Sequence, residues 1–325
     1  MIYARYFTAI SPYYEPIRRR IEELSMSHPY QVAVIGLGAM GMGAALSCLR
    51  AGLQTHGIDL APAARERLAA AGAASVGANA HAIADRLDAV LLLVVNAAQV
   101  RRILLGEEGL ARRLRPGTAV MISATIASEE AKAIAAELEA QDLLVLDAPV
   151  SGGAVKAEAG EMVVMASGAR AAFERLQPVL DAVAGRVFVI GEQPGQGSTV
   201  KIIHQLLAGV HIAVAAEAMA LASRAGVPLD LMYEVVTQAA GNSWMFENRM
   251  PRVISGDYSP RSAVDIFVKD LNLVADTARA LNFPLPLANA ALNQFLSASN
   301  AGHGLEDDSA VIKAYAGIQL PGDAQ

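Results

Sequence analysis

The spacing of apolar residues changes part-way along this chain. Short β-branched or leucine-rich runs at residues 31–35, 54–59, 89–95, 118–123 and 143–147 alternate with stretches of helical spacing at 42–51, 63–71, 98–105 and 129–140. Such runs predict buried strands, and the longer stretches between them predict helices. Strands alternating with helices imply right-handed crossovers and a mostly parallel sheet covered on both faces, an α/β arrangement. Two more strand-like runs, 161–166 and 186–190, flank a predicted helix at 171–183. After Gly191 the strand-like runs stop. Glu192-Gln193-Pro194-Gly195-Gln196-Gly197 is rich in turn formers, and beyond it the pattern is helical almost to the end, opening with a run over 198–225. The expected division is therefore a βα domain over 29–192 and an all-helical domain over 193–325.

Residues 1–28 follow neither pattern. They are rich in tyrosine, carry Arg18-Arg19-Arg20 among Glu15, Glu22 and Glu23, and lack the apolar core and cleavage site of a secretory signal. They read as a dispensable, disordered extension, or as the result of a start assigned upstream of Met26, which lies just ahead of the first strand.

Composition narrows the class. A chain of 325 residues suits two domains, and 54% hydrophobic with 18% charged residues excludes intrinsic disorder. A formal net charge of −6 argues against nucleic acid or an anionic membrane as the main partner. The longest uninterrupted apolar run, 89–95, falls far short of the ~20 residues that span a bilayer, so no membrane partner is expected. One cysteine, Cys48, excludes an intrachain disulfide framework and suits a reducing, cytoplasmic setting.

The strongest local signal is Gly36-Leu37-Gly38-Ala39-Met40-Gly41, between the first strand and the first helix. Gly36 permits a tight turn, Gly38 lets backbone approach a pyrophosphate, and Gly41 lets helix and strand pack closely. The helix start adds free N–H groups and a partial positive charge. Asp59 ends the next strand at the expected remove of about 20 residues. A carboxylate there bonds both ribose hydroxyls and repels a 2′-phosphate. Leu60-Ala61-Pro62 places no arginine beside it, although Arg65 lies a turn further on. NAD is the expected cofactor. Asp59 as a cap for the following helix is compatible with either cofactor. Asn96 and Thr125 follow later strands, at the sheet edge where cofactors lie, and read either as cofactor contacts or as turn residues.

Four motifs together carry a family resemblance: the glycine turn, Asp147-Ala148-Pro149-Val150-Ser151-Gly152-Gly153, Gly195-Gln196-Gly197-Ser198-Thr199-Val200-Lys201, and Lys269-Asp270-Leu271. In order and spacing the chain resembles the β-hydroxyacid dehydrogenases, the 3-hydroxyisobutyrate dehydrogenase-like family, over about residues 31–315. The resemblance implies a Rossmann-like N-terminal domain, an all-α C-terminal domain that forms a homodimer or homotetramer, and an active site between them. It implies Lys201 as the catalytic lysine and Ser151, Gly152 and Gly153 as holders of a substrate carboxylate. Thr125 and Lys269 then become cofactor contacts. One departure stands out: the family's usual asparagine, four residues after the lysine, is here Gln205, preceded by His204. That longer amide, with Asn242 and Ser243 in Gly241-Asn242-Ser243-Trp244-Met245-Phe246, most resembles members that oxidise C2 of a four-carbon sugar acid. Members acting on tartronate semialdehyde or 3-hydroxyisobutyrate are the alternatives.

The residue chemistry agrees. Oxidising an alcohol needs a hydride acceptor, which NAD supplies, and a base for the hydroxyl proton. Lys201 suits the second role if desolvation or a neighbouring cation lowers its pKa. On a helix Gln205 falls on the same face, at i+4. The Ser151-Gly152-Gly153 turn offers N–H groups and a hydroxyl that suit a carboxylate, with an ordinary strand–loop turn as the alternative. His204 and His211 share a face but have no carboxylate at matching ligand spacing, so they read as core histidines and no metal is expected. Trp244 and Phe246 read as packing residues, Lys269-Asp270 could be only a surface pair, and Glu306-Asp307-Asp308-Ser309 reads as the acidic start of a last helix. A non-catalytic NAD-binding sensor remains the alternative of another class. The retained lysine and the intact Ser-Gly-Gly turn, which a sensor does not need, speak against it.

Overall fold

The structure, a computed structural model, describes residues 29–321. The extension expected to be disordered, residues 1–28, lies outside them. Backbone contacts divide the described chain into two units. The first comprises residues 29–124 and Ser128–Ser198, the second Thr125–Ala127 and 199–321. The division lies slightly beyond the expected 192/193 boundary. Gly195, Gly197 and Ser198 are hydrogen-bonded to Asp147 and Ser167, which keeps them with the first unit.

The first unit is built around one sheet. Its strands are β1 (Gln31–Ile35), β2 (Gln54–Ile58), β3 (Ser75–Gly77), β4 (Ala89–Leu92), β5 (Ala119–Ile122), β6 (Leu144–Asp147), β7 (Val150–Ser151), β8 (Met162–Gly168) and β9 (Ala184–Gly191). They lie in the order β3-β2-β1-β4-β5-β6-β8-β7, with β9 paired to β8. The first six pair in parallel, β8 runs antiparallel to β6 and β7, and β9 is parallel to β8. The order 3-2-1-4-5-6 is that of a dinucleotide-binding Rossmann sheet, whose ligand crevice opens beyond the carboxyl end of β1.

The helices are α1 (Ala39–Arg50), α2 (Pro62–Ala70), α3 (Ala97–Leu105), α4 (Ser128–Glu139), α5 (Gly153–Ala159) and α6 (Arg170–Val183). Val32, Val34, Leu91, Met121 and Leu146 meet Ala44, Ala45 and Leu176 in the core, which explains why the central strands read as unbroken apolar runs. Three elements left no clear pattern. β3 and β7 are too short for a period, and α5 follows directly on a glycine pair. β4 stops at Leu92 rather than at residue 95, where the chain turns towards the cap of α3.

The second unit is helical: α7 (Gln196–Arg224, whose first turn belongs to the first unit), α8 (Leu229–Thr237), α9 (Trp244–Ser255), α10 (Val264–Ala280) and α11 (Pro286–Ala298). Ile212, Ala216 and Met219 of α7 pack with Met250, Phe267, Leu271 and Phe295, and the Phe267 and Phe295 rings stack at 5.2 Å. Among the described residues α7 alone is long and apolar enough to cross a membrane, and half of its most apolar window is buried in the protein. Lys201, His204, Gln205, His211 and Glu217 interrupt it, so it holds no long unbroken apolar run.

The acidic segment departs from expectation in part. It leads into a short 3-10 helix, Asp308–Ala314, rather than an α-helix. As expected, the acids stand at the helix start, where Asp307 Oδ1 accepts the Ser309 N–H at 3.2 Å, but Asp307 and Asp308 are also fully buried. Arg249 grips Asp308 with two nitrogens at 2.6 and 3.0 Å, and Arg252 Nε lies 3.1 Å from Asp307 Oδ1. Buried carboxylates of this kind require paired cations.

Candidate active site

In the first unit, the glycine turn leaves β1 at the switch point of the sheet. Gly36 has φ +90°, and a Cβ there would stand 2.7 Å from Leu93 O. Gly41 lies so close under the turn that a Cβ would reach 1.7 Å from Gly36 O. Gly38 precedes α1, and a Cβ added to it would meet nothing within 4 Å. Open space at a helix start, bounded by two glycines that allow no side chain, is a cradle for a pyrophosphate. Leu37, Ala39 and Met40 complete the turn. Asp59 sits immediately past β2. One carboxylate oxygen accepts the Leu37 N–H and the other the Ala61 N–H, both at 2.7 Å. It thus ties the turn to the strand tip and keeps further lone pairs for ribose hydroxyls. Arg65 donates to the backbone carbonyl of Asp59 and leaves the carboxylate unneutralised.

Asn96 has a visible structural role: its Oδ1 accepts the Gln99 N–H at 2.9 Å and caps α3. Ser151 ends β7, and Gly152, with φ +131°, caps α5, whose first residue Gly153 has φ +71°. Two successive left-handed glycines turn the strand sharply into the helix.

The second unit gathers a polar cluster around Lys201. Lys201, Gln205 and Asp270 are all buried. Gln205 Nε2 donates to Asp270 Oδ2 at 2.5 Å. Lys269 Nζ donates to Asp270 Oδ1 and, at 3.0 Å, to Thr125 O. His204 Nδ1 lies 3.0 Å from Gln205 Oε1. With Gln205 Nε2 committed to Asp270, that oxygen is the acceptor and the ring proton sits on Nδ1. Burial lowers the Lys201 pKa to about 8, with Lys269 pushing the same way and Asp270 opposing. An amine in that range can accept a proton near neutral pH and return it. Two lysines against one carboxylate leave the protonated cluster with a net charge of +1, which suits an anion.

The structure therefore joins Gln205, Lys269 and the Thr125 carbonyl into one network with Asp270, and the buried Lys201 amine feels the charges of Asp270 and Lys269. The reading of Lys269-Asp270 as a surface pair is overturned, because Asp270 is only 2% exposed. Asn242 and Ser243 are largely committed elsewhere. Ser243 Oγ caps α9 by accepting the Phe246 N–H, and Asn242 Nδ2 donates to Glu247. Asn242 Oδ1 is buried and lacks a hydrogen bond. Phe246 packs against Tyr233 as expected, but Trp244 is half exposed and is not a core residue.

Comparison with known proteins decides the family. Residues 31–191 match the family model for the NAD binding domain of 6-phosphogluconate dehydrogenase. Residues 195–315 match that for the NAD-binding region of NADP-dependent 3-hydroxyisobutyrate dehydrogenase. The L-threonate dehydrogenase of Escherichia coli strain K12 is 69% identical over 293 residues, 90% of this chain and 97% of that protein. That of Cupriavidus necator is 55% identical over 294 residues, 90% of this chain and 99% of that protein. The crystal structure of 3-hydroxyisobutyrate dehydrogenase from Salmonella typhimurium is 67% identical, with a TM-score of 0.85 over 88% of this chain and 100% of that one.

The chain belongs to the 3-hydroxyisobutyrate dehydrogenase-like family. It is an NAD-dependent oxidoreductase of hydroxy acids. The residues present fit the dinucleotide, since the open cradle at Gly38 and the carboxylate of Asp59 are what its pyrophosphate and ribose need. Two buried carboxylates, Asp270 and Asp147, show no site role in the sequence. Asp270 was visible only as part of a motif. Asp147 opens another motif, and its partners, Gly195 and Ser198, lie far along the chain.

Proposed function

We propose that this protein oxidises L-threonate at C2 to 2-oxo-tetronate with NAD as acceptor. Bound NAD supplies the hydride acceptor. Lys201 takes the hydroxyl proton, and in the reverse direction its ammonium returns it and stabilises charge developing on the oxygen. Gln205, held by Asp270, presents its remaining amide hydrogen to a substrate hydroxyl. The observation that carries this reading is the buried amine of Lys201, brought to a pKa of about 8 within a cluster of net positive charge. The names of relatives 55–69% identical support L-threonate as the substrate.

Steady-state rates on L-threonate, tartronate semialdehyde and 3-hydroxyisobutyrate, each with NAD and NADP, test the assignment. Highest kcat/KM is expected for L-threonate with NAD, rising with pH through a limb near 8. Lys201→Ala should lower turnover by about 10²–10⁴-fold with NAD affinity nearly unchanged. Faster turnover of either rival substrate would overturn the threonate assignment. Unchanged turnover in Lys201→Ala would refute Lys201 as the acid/base, whereas NAD binding by a wild type that turns over none of the three substrates would favour the sensor reading. A homo-oligomer is part of the same proposal. Ile203, Leu207, Val214 and Leu221 form an exposed apolar stripe along α7 that supports burial against a second copy.

A further inference from the structure

The joint Gly195–Ser198 ends in the first turn of α7, and three side chains of the first unit fasten it. Ser128 Oγ donates to Gly195 O at 2.8 Å. Ser167 Oγ accepts the Gly197 N–H at 2.9 Å and donates to Asp147 Oδ2 at 3.3 Å. Asp147 does most of the fastening. Its Oδ2 accepts the N–H groups of Gly195 and Ser198, each at 2.8 Å, and its Oδ1 accepts the Ser198 hydroxyl at 2.6 Å. Asp147 and Ser198 are each 1% exposed, and Ser167 is fully buried. Asp147 and Ser167 face each other across the β6–β8 pair, so the sheet itself sets the position of the clamp. Gly197 lies so tightly under it that a Cβ would stand 2.4 Å from Met165 O and 2.8 Å from Asp147 O.

The groups Asp147 binds are among those a helix start leaves without intrahelical partners. Lys201 follows Ser198 by one turn. In helical geometry the Lys201 N–H pairs with the carbonyl of Gly197, inside the clamped turn. Loss of the clamp frays that turn and releases the lysine's own backbone, and a small misplacement of an acid/base group costs turnover.

We propose that Asp147 is a positioning residue of the reaction, its carboxylate holding the first turn of α7 closed so that the Lys201 amine stays in place. The inference rests on Lys201 acting as proposed above. It explains why the Gly-x-Gly-Ser-x-x-Lys motif needs both its second glycine and its serine: one lets the turn lie against the backbone of β6 and β8, the other binds the carboxylate twice.

The test compares Asp147→Asn, Ser198→Ala and Ser198→Thr with the wild type. Asparagine keeps the shape of Asp147 but places an NH2 group among converging donors. Expected for Asp147→Asn is a fall in kcat of about tenfold or more, the scale of a lost helix cap. The NAD dissociation constant, read by fluorescence titration, should stay within about twofold. Hydrogen exchange across residues 195–204 should quicken while the glycine turn at 36–41 is unchanged. Ser198→Ala should show the same effects in weaker form, and Ser198→Thr, which keeps the hydroxyl, should match the wild type. Wild-type exchange across 195–204, or kcat within about twofold of the wild type, overturns the proposal. So does a loss of NAD binding and global melting together, which would make Asp147 merely structural. Should the wild type oxidise none of the three hydroxy acids, the functional reading fails by itself. The exchange measurement still decides whether Asp147 holds the turn.

Discussion

Placing an amine where Lys201 sits costs stability, and the cost can be measured. Burial moves its pKa from the ordinary 10.5 to about 8. At about 1.4 kcal/mol per pH unit, that difference amounts to roughly 3 kcal/mol when the amine is protonated in the folded state. The sign follows from proton counting. Between about pH 8 and 10.5 the unfolded chain binds the proton and the folded chain does not, so stability rises with pH through that window. Below pH 8 both states are protonated and the full cost is present. Lys201→Met keeps the bulk and removes the charge. It should therefore be more stable than the wild type at pH 7 by up to about 3 kcal/mol, with the advantage vanishing near pH 10.5. Urea unfolding at pH 7, 9 and 10.5, followed by fluorescence, gives the difference. Trp244 is the single tryptophan of the chain and reports on the second unit. Equal or lower stability of Lys201→Met at pH 7 would refute the reasoning. A difference that does not change with pH would also refute it, since packing rather than charge would then be responsible. The same variant should lose turnover, a direct opposition between stability and activity.

Two other substitutions test separate parts of the structure. Gly41→Ala places a methyl 1.7 Å from Gly36 O, so either turn or helix must move. NAD affinity should fall roughly tenfold or more by fluorescence titration, and unchanged affinity would contradict the role given to the turn. Leu207→Glu with Val214→Glu charges the exposed stripe of α7. Sedimentation velocity should show a wild-type oligomer and a monomeric variant, whereas an unchanged mass would place the interface elsewhere.

Most of the fold was written in the chain as period and punctuation. The central strands are apolar on both faces, so their runs are visible without knowledge of neighbours. Gly36 and Gly41 stand where the backbone tolerates nothing larger, which makes the turn readable from spacing. What stayed hidden depends on contacts between distant residues. Asp307 and Asp308 look like an acidic helix start until Arg249 and Arg252 are brought against them. Asp270 next to Lys269 looks like a surface pair until Gln205 arrives from α7, 65 positions away. No local pattern separates a buried carboxylate from an exposed one when its partner is supplied by another element.

Gln205 shows how such a partner changes a chemical argument. From sequence, the extra methylene relative to the family's usual asparagine places the amide about one C–C bond further out and points to a substrate of different length or hydroxylation. In the structure that reach brings Nε2 to 2.5 Å from Asp270, while Oε1 receives the His204 ring. Both ends of the amide are held, so its orientation is fixed before any substrate binds, and a fixed donor discriminates between hydroxyl positions better than a swinging one. Lys269 is tied to the same carboxylate and to Thr125 O. Asp270 is thus the common acceptor that holds Lys269 and Gln205 against free rotation, Gln205 one turn along α7 from Lys201, and its charge is felt by the Lys201 amine. The departure from asparagine makes physical sense only together with that aspartate.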